Sequence, residues 1–578
     1  MADERPIVVL GAGINGAALA RELALSAVPV AVVDAADLAS GATAWSTRLI
    51  HGGLRYLEHG EIGLVRESLA ERDRLVRLAP HLVAPLPFYL PVRGRCGGLA
   101  SAAARLLGLE RLAARWRPSR GRGSWTVGIG LTLYDLLAAG SGWPRHRSVP
   151  AGGAGLPRVD AARFPLGCTY ADAQMLYPER FTVELLVDAR HAATSAGTSC
   201  DVFTRRRAVL RTDGVMSLTG ADGEAEIELR PRAIVNATGA WVDRTLAAVF
   251  AAAPAGAGRL IGGTKGSHLL VRSPPLRAAL AGHGVYAEAD DGRPVFVLPF
   301  GHDLVLVGTT DIPFAGDPAA ARADDTEIDY LLGAVARLFP ACAPGRGAVQ
   351  QHYCGVRPLP AAAAARGLRS PGAVTRRHML VPHPRAPLPA WSIVGGKLTT
   401  CRSLAEAAAA EVLGTLGLPV RGSSRERPLP GACGADARAA VAAAAAESLA
   451  RAGIPDPVPA ADRLVTLFGA RGPAVAAAAA SRPGMLRGVG LPRAAVEFCV
   501  REEWARSLDD IVERRLMLAF DPRLCRPAIE DVALVLAALG LLSPSTVDGA
   551  TEACMAGLAA RHGRRVPTDT ADHPAEEP

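Results

Sequence analysis

Residues 7–34, IVVLGAGINGAALARELALSAVPVAVVD, constrain this chain more than any other stretch. Ile7–Leu10 is a short apolar run that reads as a buried strand. Gly11, Gly13 and Gly16 follow in G-x-G-x-x-G spacing, residues 17–25 read as an apolar helix, and Val30–Val33 is a second strand that ends on Asp34. The first glycine lets the chain turn tightly out of the strand. The second lets backbone approach a pyrophosphate, and the third lets the helix pack against the sheet. Ile14 and Asn15 share that turn. The helix N-terminus presents free N–H groups and partial positive charge to phosphates. Asp34 falls about 20 residues on, where an acid can bond a ribose hydroxyl. A glycine triplet alone is weak, but strand, glycines, helix, strand and acid in this order predict a dinucleotide site.

The chain has 578 residues, 49% of them hydrophobic, which suits two to four globular domains. Its net charge of +8 and pI near 9.1 would fit a nucleic acid, an anionic membrane or an anionic substrate. No nucleic-acid motif or internal repeat accompanies that charge. The ten cysteines include no C-x-x-C pair, so no metal centre is expected and a reducing compartment is. The N-terminus, MADERP, runs straight into the first strand with no signal peptide in view. No apolar run reaches the ~18 residues that cross a bilayer. The expectation is a cytoplasmic protein or one resting on a membrane.

Residues 37–58, DLASGATAWSTRLIHGGLRYLE, come directly after the acid. Ser40, Gly41, Ala42, Thr43, Ser46 and Thr47 are small or hydroxylated, suited to a loop lying against a flat cofactor and its phosphates. His51, Gly52, Gly53, Arg55 and Tyr56 form a dense polar cluster. Further along stand Lys265 and His268 in TKGSH, Arg357 in GVRPL, Arg376, and Gly396, Lys397, Leu398 and Thr399 in GGKLTT. Ala208 lies in a strand predicted over 198–209. The strand AIVNATG, with Ala237, ends on Gly239, and its backbone is expected beside the pyrophosphate.

The strings DLASG, LIHGGLRYLE, NATGAWVD, KGSH, FVLPF, GTTDI, GVRPL and GGKLTT, in this order, resemble the FAD-dependent glycerol-3-phosphate dehydrogenase family. The similarity covers roughly residues 7–411 and resumes near the C-terminus. It implies an α/β fold: a Rossmann-like FAD-binding domain, a β-sheet substrate domain and an α-helical C-terminal cap. The corresponding segments are 1–92, 165–245 and 375–425 for FAD, 93–164 and 246–374 for substrate, and 426–562 for the cap. An Arg-rich insertion covers 93–123, and 563–578, polar with Pro and acids, reads as a disordered tail.

The resemblance further implies oxidation of sn-glycerol 3-phosphate to dihydroxyacetone phosphate, with FAD as cofactor and a quinone or similar acceptor on the inner face of the cell membrane. A hydroxyl proton must be taken and a phosphate gripped, and arginine forks grip phosphate best. His51 is the candidate base, its imidazole titrating near about 6.5 when unperturbed, with His268 as fallback. Arg357 and Lys397 complete the catalytic set, and Arg55, Lys265, His268 and Arg376 are assigned to substrate. Trp45, and Tyr177–Glu179 where the family has a D-D-A-R string, depart from the family pattern. They leave open another small anionic hydroxy compound or an amine as substrate. A non-catalytic flavin protein and a homodimer also stay open.

Overall fold

The computed structural model describes residues 4–94, 123–220, 224–250, 259–361 and 378–569. The strand Ile7–Leu10 lies inside a six-stranded sheet, parallel to Val30–Val33 on one side and Ala233–Asn236 on the other. Cys200–Phe203 and Ala390–Val394 extend it in parallel, and Met379–Pro382 closes one edge antiparallel. Every residue of Ile7–Leu10 is buried, as expected of a parallel strand covered on both faces.

Four helices bear on the site: α1 (Ile14–Leu25), α2 (Ile62–Leu78), α3 (Ser124–Leu137) and α4 (Pro178–Ser195). The sequence INGAALARELAL is apolar nearly all round, so α1 is buried nearly all round. Its alanines allow close packing by α4 and by the helix Cys401–Thr415. Arg21, buried within this packing, donates to Asp188 at 2.7 Å and to the Arg427 carbonyl at 2.8 Å.

A second sheet of ten strands runs in the order Ile312–Pro313, Ile261–Arg272, Leu304–Gly308, Pro294–Phe300, Gly284–Glu288, Val83–Val92, Leu166–Met175, Leu49–Ile50, with Val349–Pro360 and Arg147–Pro150 paired at branches. This corrects the sequence division, which puts 49–50, 83–92 and 166–175 in the FAD-binding segments. Helical spacing over 62–78 predicts a helix that Pro80, Pro85 and Pro87 end, yet Pro85 and Pro87 sit in a ten-residue strand. Pro85, Pro87 and Pro91 share one parity, so the N–H groups they lack fall on one side. The ladder on the other side runs unbroken from Val83 opposite Met175 to Val92 opposite Leu166.

The C-terminal region is helical, including Ala435–Arg451, Pro457–Phe468, Ala494–Glu502, Arg526–Ala538 and Val547–His562. Buried ion pairs fasten it to the rest. Asp510–Arg515 forms a π-helical turn, and two successive arginines from it reach one carboxylate. Arg514 Nε donates to Asp37 at 2.6 Å, while Arg515 binds both Asp37 oxygens at 2.7 and 2.8 Å. Arg180 of α4 pairs with Glu503, which Arg471 also reaches at 2.7 Å.

Two sequence expectations meet the structure here. The tail does not begin at 563: Arg564 is buried and donates to the Asp521 carbonyl at 3.0 Å, and Arg526 N–H donates to Pro567 O at 2.8 Å. Residues 570–578 lie outside the described residues, as do 95–122 of the Arg-rich insertion. Arg93, at the start of that insertion, pairs with Asp290 at 2.9 Å. Among the described residues no helix is long and apolar enough to cross a membrane.

The seam predicts an acid limb of stability. Burial alone would push Glu503 up, but the Arg180 and Arg471 guanidiniums outweigh it and hold the carboxyl at about 2. A depressed carboxyl contributes stability above its unfolded pKa and loses it as pH falls towards the folded one. Melting temperature should therefore change little from pH 7 to about 5 and fall steeply between about 4.5 and 2. Glu503→Gln should flatten that limb and cost about 3–5 kcal/mol at neutral pH by stranding Arg180. An unchanged limb in the variant would assign the acid sensitivity elsewhere.

Candidate active site

The glycine turn is built as the spacing demands. Gly11 has φ +98°, and a Cβ there would meet the Ala237 carbonyl oxygen at 2.8 Å. A Cβ on Gly16 would meet Gly11 O at 1.9 Å. Gly13, at the start of α1, has no side chain of its own to cap the helix. Thr43 Oγ1 accepts from Ile14 N–H at 3.0 Å and so draws the following loop over the helix end. Asp34 accepts from Ala12 N–H at 2.7 Å and Ala36 N–H at 2.8 Å. Burial pushes its carboxyl up, against the pull of those two bonds.

Of the other residues assigned to the cofactor, Ala237 lies against this turn. Ala237 N–H donates to Leu10 O at 2.7 Å, and Gly239 turns away with φ +61°. Ser40, Gly41 and Ala42 lie half-buried in the loop after Asp37, with Gly41 against the Trp241 ring. Ser46 accepts from Arg48 N–H at 3.3 Å, and Thr47 Oγ1 lies 2.9 Å from His268 Nε2. Ala208 belongs to the strand Arg207–Leu210 of a small three-stranded sheet beside the cofactor sheet.

The GGKLTT loop arrives at the same helix end. Gly395 and Gly396 have φ +81° and +94°, and Asn15 Nδ2 donates to Gly395 O at 3.3 Å. Leu398 packs partly into the core beneath. Lys397 Nζ stands 3.7 Å above the Tyr56 ring and 3.5 Å from Ser68 Oγ of α2. Thr399 Oγ1 accepts from His51 N–H at 3.1 Å. The structure thus joins Asn15, His51, Tyr56, Lys397 and Thr399 around one end of α1. Arg55, next to Tyr56, is half-buried and has no ion-pair partner among the described residues.

The second sheet supplies the opposite side. The His51 ring lies edge-on to Phe296 at 6.4 Å. Phe296 is opposite Gly308 in the sheet, and Gly308 is opposite His268. His268 stacks on Tyr353 at 4.9 Å. Burial, with the Arg357 and Arg48 charges adding, holds His268 well below the usual imidazole range. It is therefore a neutral ring at physiological pH. Arg357 shares its face, lying over Gly266 and donating to Asp311 at 3.0 Å, Thr309 Oγ1 at 2.8 Å and Thr310 O at 3.1 Å.

Lys265 is not part of this group. It lies one residue from Thr264, the neighbour of Arg357, and alternation sends it to the other face of the sheet. There it pairs with Glu327 at 2.7 Å and Asp324 at 3.1 Å, while Glu327 also accepts from Ser267 and Thr310 hydroxyls. Two carboxylates thus engage it on the face away from His268 and Arg357. Arg376 lies outside the described residues, so the expected meeting of three arginines rests on Arg55 and Arg357 alone. Asp311 and Thr309, which hold Arg357, went unassigned in the sequence although GTTDI marks their position. Trp45 packs against Tyr353 at 5.7 Å and His562 at 5.0 Å, and Glu179 serves as the partner of Arg48. Both departures from the family pattern therefore belong to packing behind the loop.

The residues present fit a bound FAD. Gly13 places no side chain over the N-terminus of α1, the glycines clear a backbone cradle, and the Asn15 Oδ1 atom is buried with no partner among the described residues. Residues 6–374 match the family described as FAD dependent oxidoreductase, and residues 423–543 match the C-terminal domain of alpha-glycerophosphate oxidase. The chain belongs to this family of FAD-dependent oxidoreductases. A glycerol-3-phosphate dehydrogenase of Synechocystis is 34% identical over 89% of this chain and 88% of its own. The aerobic glycerol-3-phosphate dehydrogenase of Escherichia coli is 33% identical over 70% and 72%. A D-erythritol 1-phosphate dehydrogenase of Brucella abortus is 31% identical over 88% and 93%. Within the family, the chain groups with these dehydrogenases and is an FAD-dependent enzyme. The FAD-complexed glycerol-3-phosphate dehydrogenase of Bacillus halodurans, 20% identical, shares the fold with a TM-score of 0.70 over 97% of this chain and 95% of that one.

Gly16→Ala tests the cradle. The added Cβ must displace the Gly11 carbonyl, so the variant should purify without the yellow flavin band while keeping its helical circular dichroism. A yellow Gly16→Ala protein would show that the cofactor lies elsewhere.

Proposed function

We propose that this chain oxidises sn-glycerol 3-phosphate at its secondary hydroxyl to dihydroxyacetone phosphate. The observation that carries the reading is the meeting of the His51 and Lys397–Thr399 segments at the N-terminal end of α1. It draws support from relatives named for glycerol 3-phosphate along most of their length. Bound FAD supplies the acceptor for the hydride that leaves the substrate carbon. His51 takes the hydroxyl proton, and Arg357, steadied by Asp311, faces the developing alkoxide. Arg55 grips the phosphate, whose two negative charges its fork suits, and Lys397 adds positive charge beside it.

The proposed terminal acceptor is a quinone, with the protein resting on the inner face of a membrane. Trp125, Ile129 and Leu136 stand exposed on one face of α3 and suit such contact. The Brucella relative favours a second substrate, a longer polyol phosphate with the same phosphate and secondary hydroxyl.

Anaerobic mixing tests these readings directly. sn-Glycerol 3-phosphate should bleach the flavin, and D-erythritol 1-phosphate and simple amines should do so more slowly. His51→Gln should lower the limiting reduction rate by about 10²–10⁴ with little change in substrate affinity. Arg357→Ala should act mainly on the same step, and Arg55→Ala mainly on affinity. Faster bleaching by the tetritol phosphate would move the assignment to that substrate, and native rates in all three variants would end it.

A further inference from the structure

The peptide linking His51 to Gly52 is held from two sides. On one side Thr399 Oγ1 donates to His51 O at 3.4 Å, and it also accepts from the His51 N–H of the preceding peptide. On the other, Gly52 N–H donates to Tyr134 Oη at 3.0 Å and to Asp172 Oδ1 at 3.3 Å. Tyr134 itself donates to Asp172, at 2.7 and 2.8 Å from the two oxygens. Arg72 Nη1 donates to Asp172 Oδ1 and to Ala171 O, each at 3.1 Å. The Arg72 guanidinium lies 4.1 Å from the centre of the Trp143 ring. Tyr134, Asp172 and Arg72 are all at most 2% exposed.

Tyr134 of α3 and Asp172 of the strand Leu166–Met175 thus meet one backbone amide, with Arg72 of α2 holding Asp172, in an otherwise apolar cluster containing Leu69, Phe88 and Tyr170. An apolar set of equal volume would stabilise the fold as well or better. What the polar set adds is direction: it fixes the orientation of one peptide plane. No Cβ fits at Gly52, where it would meet Tyr134 Oη at 2.5 Å. The backbone therefore rests directly on the phenol. We propose that Tyr134, Asp172 and Arg72 are positioning residues that aim the His51 imidazole at the substrate hydroxyl through the Gly52 amide. The inference rests on His51 being the base.

A double-mutant cycle tests it on the FAD-loaded enzyme. Tyr134→Phe should lower the flavin reduction rate about tenfold and leave substrate Kd within about twofold. In a His51→Ala background the same change should have no further effect. Leu131→Ala, a buried change on the same helix, should lower Tm without slowing reduction. Should Tyr134→Phe lose the fold, Arg72→Lys keeps the charge opposite Asp172 and should show the same coupling to His51. Independent multiplicative losses would overturn the proposal. Carbethoxylation of His51, followed by peptide mass, gives a readout without turnover. It should quicken in Tyr134→Phe and not in Leu131→Ala, and equal rates would also overturn the proposal. A native enzyme that glycerol 3-phosphate does not bleach would sink the substrate assignment while leaving this readout standing.

Discussion

A guanidinium with no access to water holds the three parts of this molecule in register. Arg48 is fully buried and has a left-handed backbone, φ +59°. It binds both oxygens of Glu179 at 2.6 and 2.9 Å and the carbonyls of Leu176 and Ala44 at 2.6 and 2.9 Å. The ring of Phe520, from the C-terminal region, lies 4.6 Å away. Burial of such a charge opposes its protonation, and the Glu179 carboxylate more than offsets this, while burial pushes the Glu179 carboxyl up against the pull of Arg48. Loss of either partner would leave a buried charge unmet, at a cost of about 3–5 kcal/mol. The residues immediately before Arg48 touch the cofactor cradle and His268, and three residues after it stands His51. One ion pair thus sets the path of the loop on which the proposed chemistry rests.

The same logic repeats at the seam with the helical region. Asp37 follows the cofactor strand by a few residues and is claimed by Arg514 and Arg515, while α4 is claimed by Glu503 through Arg180. Both contacts are buried and bidentate, and such geometry fixes orientation as well as proximity. The helical region is consequently not an appendage that can slide. Its position is written into the loop after Asp34 and into α4, both of which border the cofactor sheet.

Much of this was legible in the sequence because it is local. The strand–glycine–helix unit and the second strand ending on Asp34 follow from periodicity and turn residues within a short window. What failed was either non-local or ignored parity. The strands 83–92 and 166–175 pair with each other across more than seventy residues, and nothing in either segment announces its partner. Lys265 and His268 were grouped because they share the string KGSH, yet three residues apart in a strand means opposite faces, and period-two reasoning separates them. The tail was judged by its polar composition, whereas Arg564 is kept in place by a carbonyl that no composition reveals. Tyr134 gave no signal at all, being one aromatic in an apolar helix.

Charge placement on the two faces of the second sheet explains why parity matters here. On one face Lys265 is neutralised by Glu327 and Asp324. On the other, Arg357 pairs with Asp311 and also donates to hydroxyl and carbonyl oxygens. Neutral acceptors orient a guanidinium without adding negative charge, so those contacts leave its attraction for an anion intact. Neutral His268 on the same face adds no charge of its own. Arg55, which has no carboxylate partner among the described residues, adds to that attraction from the His51 loop. Under the proposed function, a substrate with a dianionic end and a neutral hydroxyl end suits two guanidiniums better than an amine, whose positive charge both would oppose.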